Sequence, residues 1–205
     1  MIVEPKVREF ICTTAHPQGC RENVKEQIAY VKKQGISGGP KKILVIGAST
    51  GYGLASRITA AFGCHGATLG IMFEKPSNGK RTATPGWYNT VAFEEEAAKE
   101  GLYAKSINGD AFSKEVKEQA IDMIRKDLGK VDMVIYSLAA PRRTDAQGKT
   151  WVSSLKTTDK EFTEKSLDLK TNTIVTKTVE PAQGEELEGT IKVMGGEDWM
   201  DWIDA

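Results

Sequence analysis

Features that mark several large classes of protein are scarce or missing in this sequence. Three cysteines in 205 residues are an odd, sparse count that argues against a disulfide-bonded scaffold. No apolar run reaches the roughly 18 residues of a membrane span. Basic and acidic residues number 28 each, so no basic excess favours nucleic-acid binding. The first residues lack the apolar core of a signal peptide, and we expect a cytoplasmic protein.

Two of the cysteines flank a histidine at a spacing found in metal sites. Cys12, His16 and Cys20 form a Cys-x3-His-x3-Cys pattern, but no fourth ligand lies close in sequence. Structural zinc almost always takes four ligands, so we predict no metal. The alternative is that His16 and Pro17 form a turn into a helix, while Cys12 and Cys20 act as small buried hydrophobic residues.

Strand and helix patterns alternate through most of the chain. A short N-terminal strand between Val3 and Cys12 precedes a helix with apolar residues at Val24, Ile28 and Val31. Further strands are predicted at residues 42–46, 67–73, 102–107 and 131–136, helices at 54–62, 90–101 and 113–128, and a loop at 75–89. This alternation predicts an α/β fold, with a Rossmann-type parallel sheet flanked by helices.

The character of the sequence changes after residue 142. A polar loop over residues 142–148 precedes a β-hairpin insertion, in which residues 166–169 and 174–179 flank a turn. Two helices follow at 185–194 and 198–205, the second with an apolar stripe at Trp199, Trp202 and Ile203. We expect three regions: residues 1–40, a strand and helix packing on the core; residues 41–148, the core; and residues 149–205, the hairpin and the start of a substrate or catalytic region.

A glycine-rich turn joins the first core strand to its helix. Its spacing, Gly47-x3-Gly51-x-Gly53, is typical of turns in which glycines allow a sharp bend, approach of a pyrophosphate and close packing of helix on strand. Phosphates would then lie at the helix N-terminus. The alternative is that the glycines only turn the chain.

Glu74 ends the next predicted strand, 21 residues after Gly53. A carboxylate there can accept a hydrogen bond from the 2′-hydroxyl of an adenosine ribose and would repel a 2′-phosphate. The sequence therefore favours NADH over NADPH, although the neighbouring Lys75 could offset the repulsion. An S-adenosylmethionine-dependent methyltransferase also uses a glycine loop and such an acid, but fits the glycine spacing and Tyr52 less well.

Three further segments are candidates for the same site. Asp110 follows the third core strand, where an acid commonly meets an adenine, or else forms a plain Asx turn. Small residues after the fourth strand, from Ser137 to Ala140, leave room for a cofactor or only pack tightly. Arg142 and Arg143 could bind a phosphate, although solvated arginines are the simpler interpretation.

Eight stretches of the sequence resemble one family, the bacterial trans-2-enoyl-acyl-carrier-protein or -CoA reductases of the FabV type. They are MIVEP (1–5), FICTTAHP (10–17), VIGASTGYGLA (45–55), RITAAFG (57–63), PGWYN (85–89), SINGDAF (106–112), YSLAAPR (136–142) and VMGGEDW (193–199). The hairpin region, residues 150–183, matches in shape rather than in sequence.

The resemblance implies a short-chain-dehydrogenase-like fold and NADH-dependent reduction of the C2–C3 double bond of trans-2-enoyl thioesters in fatty-acid biosynthesis. The substrate would be an enoyl-CoA or an enoyl-acyl-carrier protein, and the full-length enzyme would be a monomer. Pyrophosphate, ribose, adenine and nicotinamide contacts are expected in that order from Gly47, Ala48, Ser49, Thr50, Gly51 and Tyr52; Phe73 and Glu74; Asp110 and Ala111; and Leu138 and Ala139.

The resemblance also implies a catalytic tyrosine followed, after eight intervening residues, by a lysine. None of the five tyrosines has a lysine at that spacing or at the Tyr-x3-Lys spacing of simpler dehydrogenases; they are Tyr30, Tyr52, Tyr88, Tyr103 and Tyr136. We therefore expect an N-terminal, truncated part that binds cofactor and is inactive alone. The alternatives are a carbonyl reductase of the same superfamily and a non-enzymatic dinucleotide-binding module.

Overall fold

The computed structural model describes residues 2–8 and 11–205, and its contacts divide the chain into two compact units. The first unit contains residues 13–138 with residues 2–6. The second contains residues 139–205 with the described residues of segment 7–12. The three regions predicted from the sequence, with limits at residues 40 and 148, stay predictions.

The described residues form short strands and helices in the alternation that the sequence predicts. The strands are β1 (Val7–Arg8), β2 (Ile11–Cys12), β3 (Lys42–Ile46), β4 (Ala67–Met72), β5 (Ala104–Asn108), β6 (Met133–Tyr136), β7 (Arg142–Thr144), β8 (Thr150–Val152), β9 (Phe162–Asp168) and β10 (Thr173–Val179). The α-helices are α1 (Pro17–Lys33), α2 (Gly51–Ile58), α3 (Pro85–Lys99), α4 (Lys114–Met123), α5 (Glu185–Met194) and α6 (Glu197–Asp204). π-Helical turns at Thr59–Gly63 and Ile124–Leu128 extend α2 and α4.

The first unit is built on a four-stranded parallel sheet in the order β5-β4-β3-β6. Strand β3 is central, and its residues Ile43 to Ile46 are all buried, because a parallel strand is covered on both faces. In chain order these strands are the third, second, first and fourth of the sheet. This order is that of a Rossmann half-sheet and confirms the predicted fold class.

Three helices share a core against one face of this sheet. Val24 and Ile28 of α1 pack with residues of α2 and α3, and the rings of Phe62 and Phe93 meet edge to face with centroids 5.9 Å apart. The π-helical turn places Phe62 in that contact, immediately before the chain enters β4. The helix before the sheet is therefore part of the core of the first unit.

Helix α4 begins at a serine cap. The backbone N–H of Val116 donates to the Ser113 hydroxyl oxygen at 3.2 Å. Because this bond satisfies a donor that has no partner within the helix, Ser113→Ala should lower the free energy of unfolding by about 1 kcal/mol. Urea denaturation measures the change. Ser113→Asp, which keeps an acceptor, should retain wild-type stability; an equal loss in both variants would contradict the role of the cap.

Three sequence predictions differ from the structure. The N-terminal segment forms the antiparallel pair β1–β2, with Val7 opposite Cys12, rather than one strand. Met1, Glu9 and Phe10 lie outside the described residues. Glu9 and Phe10 belong to the predicted N-terminal strand, and Met1 and Phe10 each begin one of the stretches that resemble the family. Helix α3 starts at Pro85, inside the predicted loop 75–89, because proline is well suited to the first turn of a helix.

The third difference is in the second unit, where the predicted polar loop at 142–148 forms the first strand and the turn of a hairpin, β7–β8. The carboxylate of Asp145 accepts from the N–H groups of Gln147 and Lys149, and Gly148 has a φ of +83°. A side chain that caps its own turn and a glycine with positive φ are what a tight turn needs. The predicted hairpin insertion is also present as β9–β10, with Leu167 opposite Ile174.

The apolar stripe of α6 is only partly covered within the second unit. Trp202 is buried, while Ile203 is exposed.

No helix within residues 2–8 and 11–205 is long and apolar enough to cross a membrane.

Candidate functional site

The glycine-rich turn lies at the carboxyl end of β3, where the strand order of the sheet reverses. Strand β3 pairs with β4 on one side and with β6, the last core strand in the chain, on the other. The loop leaves Ile46 and enters α2 at Gly51. In open parallel sheets this reversal forms a crevice in which ligands bind. The topology therefore places the predicted turn where a dinucleotide site is expected.

The three glycines of the turn have three different structural roles. Gly47 has a φ of +82°, and a Cβ there would lie 2.1 Å from the carbonyl oxygen of Ser137. A Cβ on Gly53 would lie 2.0 Å from the carbonyl oxygen of Gly47, so helix and strand pack closely only with glycine there. Gly51 has a φ of +52° and no heavy atom near its Cβ position. Open space in front of Gly51 fits the approach of a pyrophosphate.

Not every residue of the turn faces that space. The N–H groups of Gly47 and Ala48 both donate to the Ile71 carbonyl at 2.9 Å, so they fix the turn. Thr50, which precedes the helix, and Tyr52 in its first turn are exposed, Tyr52 by 88%. The exposed part of the predicted pyrophosphate cradle is therefore the start of α2, where N–H groups lack partners within the helix.

Glu74 is held at the end of β4 by contacts from three directions. The Ser49 hydroxyl donates to its Oε1 at 2.5 Å. The Asn108 side chain accepts from the N–H of Glu74 at 2.8 Å and donates to its carbonyl oxygen at 2.9 Å. Gly86, in the first turn of α3, lies against the carboxylate. Sequence reasoning found Glu74 but missed Asn108 and Gly86.

The other predicted site residues lie at the ends of neighbouring strands or in the second unit. Asp110 follows β5 and forms an Asx turn, because its Oδ1 accepts from Phe112 N–H at 3.0 Å; Ala111 is buried. Phe73 is 76% exposed. Leu138 is half-buried beside Gly47. Ala139 belongs to the second unit, and its role stays a prediction.

A buried arginine that the sequence analysis did not single out joins α2 to the sheet. Arg57 is fully buried, and its guanidinium donates to the Thr68 hydroxyl at 3.2 Å, the Ser106 hydroxyl at 2.8 Å and the Lys105 carbonyl at 2.6 Å. Its charge lies 4.4 Å above the Phe93 ring. Burial lowers its pKa to about 10, against the opposing attraction of Glu94. A charge on the apolar face of α2 was the available signal.

Arg143, in the second unit, is buried rather than solvated. Its guanidinium donates to the Lys192 carbonyl at 2.9 Å and to the carboxylates of Glu197 at 3.0 Å and Asp201 at 3.3 Å. It therefore ties β7 to α5 and α6. Arg142 is exposed, in agreement with the simpler of its two interpretations.

The three residues of the Cys-x3-His-x3-Cys pattern have different structural environments. The His16 ring nitrogen Nδ1 accepts from Gly19 N–H at 3.1 Å and caps α1, as the turn interpretation predicted. Cys12 is exposed and Cys20 half-buried, so the expectation that both are buried is wrong. Partial burial raises the pKa of the Cys20 thiol. Within residues 2–8 and 11–205, no three His, Cys, Asp or Glu side chains are grouped so as to hold a metal.

Comparison with known families identifies the relatives of this fold. The model described as the catalytic region of trans-2-enoyl-CoA reductase matches residues 81–205, and that described as its NAD(P)H binding domain matches residues 2–79. The chain belongs to the trans-2-enoyl-CoA reductase family. The resemblance found in the sequence is thereby confirmed. The family sets aside the methyltransferase alternative.

Individual relatives match the chain over its whole length. It is 61% identical to an enoyl-[acyl-carrier-protein] reductase [NADH] of Saccharophagus degradans and 59% identical to a trans-2-enoyl-CoA reductase [NADH] of Ruminiclostridium cellulolyticum. All of this chain but only 52% of either relative is covered. The chain therefore spans about half the length of the curated relatives it matches.

Two solved structures of the family share the fold. The trans-2-enoyl-CoA reductase of Clostridium acetobutulicum in complex with NADH matches with a TM-score of 0.93 at 45% identity. That of Treponema denticola in complex with NAD matches with a TM-score of 0.92 at 50% identity. The whole of this chain is covered, with 52% and 53% of those chains.

Proposed function

We propose that this chain provides the NADH-binding part of an enzyme that reduces the C2–C3 double bond of trans-2-enoyl thioesters in fatty-acid biosynthesis. The observation that carries the proposal is the glycine turn at the reversal of strand order, with Gly51 facing open space and Glu74 fixed at the end of the next strand. The names of the relatives support NADH as cofactor and enoyl-acyl-carrier protein or enoyl-CoA as substrate.

The predicted site residues would each hold a different part of the dinucleotide. The start of α2, at Thr50, Gly51 and Tyr52, would bind the pyrophosphate, because a helix N-terminus favours negative charge. Gly47, Ala48 and Ser49 would shape that turn. Asp110 and Ala111 would meet the adenine, and Leu138 with Ala139 would border the nicotinamide. When bound, NADH supplies the hydride.

Glu74 would read the ribose, with Phe73 flanking it. A carboxylate has several acceptor positions, so the bond from Ser49 leaves capacity to accept from the ribose 2′-hydroxyl. The same negative charge would oppose the 2′-phosphate of NADPH, with Lys75 as a partial offset. We therefore expect NADH to bind more tightly than NADPH.

The expected behaviour of these 205 residues is cofactor binding without turnover. None of the tyrosines has a lysine at the spacing that the family resemblance implies for catalysis. The full-length enzyme would supply that pair, and we propose that it is a cytoplasmic monomer. A crotonyl-thioester assay of this chain should show no NADH oxidation above background.

A parallel titration with NADH and NADPH, followed by nicotinamide fluorescence, tests the proposed function. Glu74→Gln removes the charge at nearly constant shape. It should lower the ratio of NADPH to NADH dissociation constants about tenfold, the effect of losing one hydrogen bond to a charged group. Glu118→Gln, an exposed acid of α4, is the matched control and should leave both affinities unchanged. Binding of neither nucleotide by the unaltered chain would refute the proposal.

A further inference from the structure

We propose that Ser49 and Gly86 are specificity-determining residues, which hold the Glu74 carboxylate where it distinguishes NADH from NADPH. The inference rests on the proposed function and deepens it. A glutamate at a strand end is normally a flexible side chain, and its charge can discriminate between two riboses only from a defined position. Contacts around Glu74 define that position before any cofactor binds.

The first contact fixes the carboxylate from the side of the glycine turn. Ser49 is 6% exposed, and its hydroxyl donates to Glu74 Oε1 at 2.5 Å. Its carbonyl oxygen in turn accepts from the Asn89 side-chain amide at 3.1 Å. Asn89 belongs to α3, so the backbone of Ser49 is fixed to that helix. A hydrogen bond from Ser49 therefore restrains the Glu74 carboxylate.

The second contact fixes the carboxylate from the side of α3. A Cβ on Gly86 would lie 2.0 Å from Glu74 Oε1 and 2.4 Å from Cδ. The φ of Gly86 lies outside the positive region, so glycine is needed there for space and not for its backbone conformation. The carboxylate fills the space beside the first turn of the helix, where negative charge is favoured.

The backbone of Glu74 is fixed as well. Asn108 binds both its N–H and its carbonyl oxygen and so ties the end of β4 to the end of β5. Backbone and carboxylate are therefore held by three different elements. Rotamer freedom that is already lost in the folded protein does not have to be lost again on binding, and this preorganisation increases the contribution of the contact to affinity.

An alanine at residue 86 tests the inference directly. In an open position of a helix, Gly→Ala is stabilising, so harm from Gly86→Ala must come from the neighbours that its Cβ would meet. These are the Glu74 carboxylate, at 2.0 Å, and the Ser49 Cβ, at 2.8 Å, and both belong to the contact that holds the carboxylate. We expect it to lower the ratio of NADPH to NADH dissociation constants about tenfold, as for the loss of a hydrogen bond to a charged group. Ser49→Ala should lower the ratio in the same direction by a smaller factor.

The double variant distinguishes action through Glu74 from direct contact with the cofactor. In Glu74→Ala/Gly86→Ala the carboxylate is gone and only the Ser49 Cβ, 2.8 Å from the new Cβ, must give way, so the ratio should equal that of Glu74→Ala alone. Gly38→Ala, in a loop position with no heavy atom near its Cβ, is the matched control and should leave the ratio unchanged. A further drop of the ratio in the double variant, or an unchanged ratio in Gly86→Ala, would overturn the inference.

The urea midpoints of the unaltered chain, Glu74→Ala, Gly86→Ala and the double variant give a readout without cofactor. The shift caused by Gly86→Ala should be smaller in the Glu74→Ala background, because the closest overlap, with the Glu74 carboxylate, is then absent and only that with the Ser49 Cβ remains. Additive shifts would refute the contact. If the unaltered chain binds neither nucleotide while the midpoints are coupled, the proposed function fails and the contact stands as purely structural.

Discussion

Replacing Gly47 with alanine is expected to lower the free energy of unfolding by about 4 kcal/mol and to abolish NADH binding. Two effects combine. The backbone at residue 47 has a φ of +82°, which strains any residue with a Cβ, and that Cβ would lie 2.1 Å from the Ser137 carbonyl oxygen. To relieve the overlap, the turn must move away from β6, and the start of α2 moves with it.

Gly35 provides a matched control for this experiment. Its φ is +85°, almost the same as that of Gly47, but nothing lies within 4 Å of its Cβ position. Gly35→Ala therefore carries only the backbone strain, and its cost should be about 1 kcal/mol. Urea denaturation of both variants separates the two effects. Equal losses would show that the close approach to Ser137 has no energetic importance.

Removing the Arg57 side chain is expected to have the second large effect. Arg57→Ala leaves the Thr68 and Ser106 hydroxyls and the Lys105 carbonyl without their donor, and it leaves the Glu94 carboxylate without its buried counter-charge. Breaking such a buried group typically costs about 3–5 kcal/mol. Chemical denaturation measures the loss, and circular dichroism shows whether the variant still folds.

Two further variants show which property of Arg57 matters. Arg57→Met fills most of the volume and should cost less than Arg57→Ala, because it avoids a cavity. Arg21→Ala removes an arginine that pairs with Glu95 on the surface and should have a small effect, as is usual for exposed pairs. A loss in Arg57→Ala no larger than that in Arg21→Ala would contradict the structural role of the buried guanidinium.

The lowered pKa of Arg57 shows that its charge is not a simple stabilising feature. Burial is the largest cause of the shift of this pKa from its ordinary value down to about 10. The folded chain therefore binds this proton less tightly than the unfolded chain does. The buried charge opposes folding in full below about pH 10, and this penalty weakens as the pH rises from there toward the ordinary pKa of arginine. The hydrogen bonds and the Phe93 contact must offset this cost.

Those parts of the fold that depend on local pattern were predictable from the sequence. The apolar run of β3 gave its bounds, and the turn residues marked the β9–β10 hairpin. Glu74 was found because a strand end has a fixed distance from the preceding glycine turn. Each of these signals is contained within about thirty residues of chain, the length of one βαβ unit.

Features that depend on distant partners were not predictable in the same way. The first turn of α3 was assigned to a loop because lysine, proline and glycine are typical of loops, and the packing of Gly86 on Glu74, which brings that turn against the end of β4, is not visible in the sequence. Arg57 was missed because its acceptors come from β4 and β5. The predicted cofactor contacts of Asp110, Ala111, Leu138 and Ala139 stay predictions, since they concern a ligand and not the fold.

The position of the Arg57 guanidinium also restricts how this sequence can diverge. A Cβ on Gly70, in the middle of β4, would lie 2.5 Å from Arg57 Nη1. The Ala48 Cβ would lie 2.9 Å away as well. Residue 70 can therefore gain a side chain only where residue 57 has become smaller and residue 48 shifts slightly, and the cavity left by a smaller residue 57 favours that gain. Among homologous chains the two positions should covary, with one change opening the evolutionary route to the other.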